Sequence, residues 1–372
     1  MAKKAFIGVD GKARKVKKAY IGIDNKARKV KKAYIGVGGV ARPCFTGGEL
    51  AYYGTATALS AARYDLAATE VGNYALFGGG LNSSTRYSTV DAYDSSLTKA
   101  TPTALSMIRN GLAATTIGNY ALFGGGYSGS QYRATVDAYN PSLTRTTPTA
   151  LSVARNSLIA VSIGYYALFA GGSTGGSASN VVDAYDTSLT LTTPTALGVA
   201  SYGLAAAGVG NYALIGGGHN SGSSGYSTIN AYDTSLVRTL PSGLSSARYG
   251  LAAAGIGGYA LFGGGTNGAS LDVVDAFNTS LVRTLPSGLS LARYNLDAAT
   301  VGDYALFGGG YTGVVRDTVD AYDASLTQLT TQVLSVAREG AAAATVGDYA
   351  LFGGGHLSGS SGSAVVDAYT VQ

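Results

Sequence analysis

Six arginines recur at matching positions along this chain: Arg63, Arg109, Arg155, Arg248, Arg293 and Arg338. A ring of guanidinium groups could grip a carboxylate or an anionic sugar through paired N–H donors. Six aspartates recur in step with them: Asp91, Asp137, Asp183, Asp275, Asp320 and Asp367. In the remaining unit the arginine position holds Ser201 and the aspartate position holds Asn230. Both charges are missing from the same unit. A mutual pair would behave this way, whereas a ligand-binding ring would not require it. We therefore expect each arginine to reach across one strand, ~9–10 Å, to the aspartate of its own unit, as a structural pair.

A second set of candidates lies in loops that differ from unit to unit: 81–87, 127–133, 173–180, 219–226, 266–271, 311–317 and 356–363. They are rich in Ser, Gly, Asn and Tyr, the composition of adaptable recognition loops. Arg86, Tyr87, Tyr127, Tyr132, Arg133, His219, Tyr226, Asn267, Tyr311, Arg316 and His356 are the residues expected to form a ligand-binding face. The loop tyrosines could stack on a sugar or a protein surface. His219 and His356 stand far apart with no cysteine or acidic cluster beside them, so no metal site is expected. Asp272 and Asp317 are the loop carboxylates, in adjacent units. They would support a glycosidase only at about 5–9.5 Å separation across a pocket. No P-loop, nucleophile elbow or paired-histidine zinc motif occurs. No catalytic residue and no cofactor is therefore assigned, and the chain is expected not to be an enzyme.

The elements that must carry these residues are announced by Tyr74-Ala75-Leu76-Phe77-Gly78-Gly79-Gly80. Close copies start at Tyr120, Tyr166, Tyr212, Tyr259, Tyr304 and Tyr349, at steps of 45 to 47 residues. A period in this range with short apolar runs signals a propeller or solenoid. Each unit reads as four antiparallel strands, a to d. In the first they are Leu66–Val71, Tyr74–Phe77, Ser88–Tyr93 and Thr98–Leu105. Gly72-Asn73 and its counterparts join a to b as two-residue turns. Strand a is dominated by alanine, a poor strand former, as expected where strands converge on an axis. The last unit ends after strand c. The stretch before the first strand a, residues 52–59, matches the tail of later strands d and is expected to complete the last blade. The fold expected is an all-β, seven-bladed propeller closed by its N-terminal strand.

The chain has 372 residues, 13% charged and 55 of them glycine, with one cysteine, Cys44. An internal disulfide is ruled out. No apolar run approaches ~18 residues, so no membrane-spanning helix is expected. The net charge of +5 hides an asymmetry. Residues 1–42 carry 13 Lys and Arg against two Asp, a net +11, while the rest carries 13 basic and 19 acidic residues, a net −6. The basic part repeats every 14 residues, Lys3-Lys4-Ala5-Phe6-Ile7-Gly8-Val9-Asp10-Gly11 and then again from Lys17 and Lys31. Asp10-Gly11, Asp24-Asn25 and Gly38-Gly39 are hairpin turns, so consecutive hairpins forming a small meander are expected. Two divisions follow: a basic hairpin-repeat region, 1–48, for attachment or oligomerisation, and a propeller, 49–372. Nucleic acid is not an expected partner, because regular repetition of Tyr, Ile and Gly is not needed for binding phosphate.

Over residues 49–372 the glycine doublet or triplet after strand b, the Val-Asp-Ala-Tyr-Asp phrase on strand c and the preceding arginine resemble kelch repeats, although the tryptophan usual near strand d is missing. In the basic region, the phrases Lys-Lys-Ala-Tyr-Ile-Gly-Val and Ala-Arg-Pro-Cys-Phe resemble N-terminal segments of structural proteins of tailed phages of Firmicutes bacteria. The resemblances imply a binding protein of a phage or phage-like particle. Residues 1–45 would fix it to other particle proteins, in one copy or as a homo-oligomer, and the propeller face would recognise a host-surface glycan or protein. The alternatives are a cytoplasmic kelch-like interaction scaffold and a carbohydrate-active propeller enzyme.

Overall fold

The computed structural model describes residues 48–372 apart from 222–224 and 360, and before residue 48 it describes only strand backbone. Seven four-stranded antiparallel sheets follow one another around a ring, each ordered a-b-c-d. In the first blade the strands are Ala67–Val71, Tyr74–Gly78, Val90–Asp94 and Lys99–Ala100. The seventh comprises Ala342–Val346, Tyr349–Gly353 and Val366–Val371, and its strand d is Leu50–Ala56. That strand pairs antiparallel with Val366–Val371, from Leu50 opposite Val371 to Ala56 opposite Val366. The ring is thus closed by an N-terminal strand, two to three residues earlier than the phase of the repeat suggests.

Strand d is shorter than expected elsewhere. It spans two residues in blades one to five, such as Lys99–Ala100 and Arg145–Thr146, and three in blade six, Gln328–Thr330. The leucine taken as its end belongs instead to a crossover into the next blade. Leu59, Leu105, Leu151, Leu197, Leu244, Leu289 and Leu334 are all buried between blades. Apolar sequence alone does not separate a strand from an extended crossover whose leucine is buried the same way.

Seven hydrophobic clusters fill the seven blade interfaces, one each. Strand b supplies most of the wedge: Ala75, Leu76 and Phe77 and their counterparts are fully buried. The first glycine of the triplet is needed for a neighbour. A Cβ on Gly124 would lie 2.7 Å from the Phe169 ring of the next blade. Blade three carries Ala170 at this position, and blade four there carries the smaller Ile215 in place of phenylalanine. The methyl gained on one blade is thus matched by the ring lost on the next, as close packing demands.

In six blades a strand-c tyrosine latches onto the crossover leading into its own blade. Tyr93 donates to the Thr57 carbonyl at 2.7 Å, and Tyr139, Tyr185, Tyr232, Tyr322 and Tyr369 do the same at 2.7–2.9 Å. Burial pushes the phenol pKa of each upward.

In the basic region, Phe6–Val9 pairs with Lys12–Lys15, Ala19–Ile23 with Lys26–Val30 and Lys32–Val37 with Val40–Thr46, all antiparallel. Each pair is a separate two-stranded sheet among the described residues, rather than part of one meander. The turn pairs 10–11, 24–25 and 38–39 lie outside the described residues.

Candidate functional site

The repeated charges are paired and sealed. The six arginines are 0% exposed. Each lies 2.6–2.8 Å from the aspartate of its own blade: Arg63 to Asp91, Arg109 to Asp137, Arg155 to Asp183, Arg248 to Asp275, Arg293 to Asp320 and Arg338 to Asp367. Each guanidinium crosses strand b and donates to its phenylalanine carbonyl, as Arg63 does to Phe77 at 3.2 Å and Arg109 to Phe123 at 3.1 Å. Burial pulls the guanidinium pKa of Arg63, Arg109 and Arg248 down, and the facing carboxylate opposes it. The aspartate also accepts the backbone N–H of the crossover serine: Ser60 onto Asp91, Ser106 onto Asp137, Ser152 onto Asp183, Ser245 onto Asp275, Ser290 onto Asp320 and Ser335 onto Asp367, at 2.9–3.2 Å. In blade four Gly198 makes the same bond to Asn230 at 2.8 Å, without an arginine. These arginines form no ring open to a ligand, because solvent does not reach them.

The two residues after each arginine, or after Ser201 in blade four, form the rim of the central channel: Tyr64-Asp65, Asn110-Gly111, Asn156-Ser157, Tyr202-Gly203, Tyr249-Gly250, Tyr294-Asn295 and Glu339-Gly340. The second of each pair has a positive φ, between 51° and 66°. Only Gly, Asn, Asp and Ser occupy the position, residues that tolerate or locally support this conformation. Backbone hydrogen bonds link successive blades here, with Gly111 donating to Asp65, Ser157 to Gly111, Gly250 to Gly203, Asn295 to Gly250 and Gly340 to Asn295, at 2.7–3.1 Å. Five of the seven blade junctions are tied in this way, that of blades seven and one not among them, so the rim is a hoop of shared backbone geometry with differing side chains.

A concavity of about 390 Å³ opens inside this hoop. Leu204, Leu251 and Leu296 form an apolar side, and Tyr64, Asp65, Asn295, Glu339 and His356 a polar side. Glu339 Oε1 lies 3.4 Å from His356 Nδ1, and Oε2 accepts a hydrogen bond from Asn295 at 2.9 Å. The His356 ring stands edge-on to Tyr64 at 4.7 Å. Asn110 donates to Asp65 at 3.4 Å, at the limit of hydrogen bonding. Asp65 is an exposed residue on the lining of the concavity; partial loss of solvent pushes its pKa up and the Glu339 charge adds to this, against the Asn110 hydrogen bond and His356.

Of the eleven loop residues expected at a ligand face, His356 alone lines this concavity. His219 is at the rim, stacked on Tyr249 at 3.8 Å and against Tyr202 at 4.2 Å, and burial lowers its pKa. Tyr311 packs on Tyr294 at 5.6 Å. Arg86 donates to Asn110 at 2.8 Å, and its guanidinium stands 5.1 Å from the Tyr127 ring centre. Tyr127 also contacts Tyr132 at 5.1 Å. Arg133 and Arg316 turn back to Ser128 and Thr312 of their own loops. Tyr87 and Tyr226 use their backbones to pair with Gly80 and Gly218, and Asn267 sits exposed in a tight loop. Asp272 and Asp317 accept backbone bonds from Leu289 and Leu334 at the starts of two strands c, away from the concavity lining. Sequence reasoning missed Asp65, Asn295 and Glu339. The signal was present, since the dipeptide at this place changes from copy to copy while the residue before it is arginine in six of the seven.

Below the rim, the first residues of the seven strands a wall a channel of about 310 Å³. Alanine fills most of these positions, but blade six holds Asp297. Its carboxylate accepts from Ala298 N at 2.8 Å and from the Ala343 backbone of blade seven. Burial pushes its pKa up to about 7. The folded chain then holds this proton more tightly than the unfolded chain, where aspartate titrates near ~3.9. Stability from this group is full below about pH 4 and falls as pH rises through about 7. Asp297 keeps some exposed surface, which discounts the effect. Asp297→Ala is expected to be close to neutral at pH 4 and stabilising by roughly 2–4 kcal/mol at pH 8. Thermal melts of both chains across this range check it, and parallel stability profiles would refute it.

No protein-family model and no curated protein matches the chain. Among solved structures, one titled "Structure of YjhT" aligns with a TM-score of 0.57 and 12% identity, over 85% of this chain and 99% of that one. At that identity the likeness shows the propeller fold alone.

Proposed function

We propose that this chain is a non-enzymatic binding protein whose propeller presents the channel mouth and its seven loops to a host-surface glycan. The basic hairpin region, residues 1–45, would hold it on a phage-like particle, alongside other particle proteins. One observation carries the reading: seven near-identical blades hold a hoop of common backbone geometry at the mouth on which the side chains vary. A concavity of about 390 Å³ there joins leucines to carboxylates, an amide, an imidazole and a tyrosine. Apolar surface with a few fixed polar groups is what a small-ligand or sugar site requires. The buried Arg–Asp pairs leave this rim as the variable polar surface. A glycan array probed with the full chain is expected to give binding that Tyr64→Ala, which removes a half-buried ring from the mouth, weakens at least tenfold. Failure to bind any glycan or host-cell preparation, or binding indifferent to Tyr64→Ala, would overturn the proposal.

A further inference from the structure

We infer that the sugar taken at the mouth is one carrying a free ammonium group, an unacetylated amino sugar. The inference rests on the glycan reading and narrows its substrate class. Two carboxylates, Asp65 and Glu339, face the same concavity from blades one and seven, either side of His356. No lysine or arginine lines it among the described residues. The six repeated arginines are sealed with their own aspartates, and Arg86 is turned to Asn110 and the Tyr127 ring. A carboxylate offers about four lone-pair positions. Asp65 uses one of them on a long 3.4 Å bond from Asn110, and Glu339 meets Asn295 and His356.

An ammonium group supplies three donors and a full positive charge, which suits two convergent carboxylates. The carbon face of the same sugar ring can rest on the half-buried Tyr64 ring, across the concavity from the largely buried Leu204, Leu251 and Leu296. Backbone bonds tie Asp65 to Gly111, and Asn295 to Gly250 and Gly340, which limits how far the chain carrying these groups must move when the ligand arrives. An acidic sugar would meet like charge, and N-acetylation would remove the cation and add bulk.

The test uses the full chain and three oligosaccharides of equal length: glucosamine, N-acetylglucosamine and galacturonate oligomers, titrated by calorimetry at pH 7.5. The glucosamine oligomer is expected to bind at least tenfold tighter than the other two. Asp65→Asn and Glu339→Gln should each weaken it roughly tenfold or more. Asparagine tolerates the backbone at position 65, so the variant should fold, and a melt checks this. Equal or tighter binding of the acetylated or acidic oligomer overturns the inference and leaves the glycan reading standing. Glucosamine binding unchanged in both variants also overturns it, because the contact would then lie elsewhere. Binding to none of the three overturns it too. If the array is empty as well, the glycan reading fails with it.

Discussion

Asp137→Asn is expected to destabilise the propeller by about 3–5 kcal/mol, although it changes only one atom. Asp137 is fully buried and holds Arg109 at 2.7 Å, Arg145 at 3.4 Å and the Ser106 backbone at 3.1 Å. The amide keeps the volume but removes the charge, and the Arg109 guanidinium stays behind, 0% exposed. A buried charge without its counter-charge costs far more than the intact pair contributes. Blade four provides the reverse experiment. Ser201→Arg alone places a guanidinium opposite Asn230 and is expected to lower stability by a similar amount. Adding Asn230→Asp should recover most of that loss, giving a coupling of at least about 2 kcal/mol in the double-mutant cycle. Midpoints of urea unfolding report both. Near-wild-type stability of Asp137→Asn, or an additive cycle in blade four, would show that the pairs are incidental.

This pairing was legible in the sequence because it is periodic and because it fails in one place. Ser201 and Asn230 depart from the pattern together, and the structure adds a third member, Gly198 in place of the crossover serine. The blade count and ring closure were legible for a related reason. A step of 45 to 47 residues defines the unit, and the phase at its two ends shows which strand is missing. What was not legible is which variable residues meet. His219 and His356 are brought to the rim because each pairs, just beyond the glycine triplet, with the residue after the arginine position: His219 with Tyr202 and His356 with Glu339. That pairing continues the a–b ladder past a glycine interruption that reads, in sequence, as the start of a loop. Arg133 and Arg316 carry the same composition signal as the histidines, but their loops fold back on themselves. Composition names candidates, whereas register decides which of them share a cavity.

The closing strand separates two truncations that sequence treats as neighbours. A chain beginning at Glu49 is expected to unfold at the same midpoint as the full chain, because the whole of Leu50–Ala56 is retained. A chain beginning at Thr57 loses that strand and should be destabilised by about 5–10 kcal/mol. Tyr52 packs on Tyr369 at 5.2 Å and donates to Asp367 at 2.7 Å, a contact that, with burial, lifts its own pKa to about 12. Its loss and that of Leu50, both half-buried, account for roughly 1–2 kcal/mol each by apolar burial. Strand pairing over six positions, at about 0.5–1 kcal/mol per hydrogen bond, supplies the remainder. The cut also turns Val366–Val371 into an open edge whose unpaired N–H and C=O groups invite another chain. Size-exclusion chromatography should therefore show the Thr57 chain as aggregate while the Glu49 chain elutes as a folded species. Equal midpoints for the two would mean the ring does not depend on its N-terminal strand. A loss already complete at Glu49 would mean that residues 1–48, rather than closure, stabilise the propeller. The expected split follows from where the contacts are: strand Leu50–Ala56 ties its blade to strand c of the same sheet, and every other blade obtains its strand d from the chain that immediately follows.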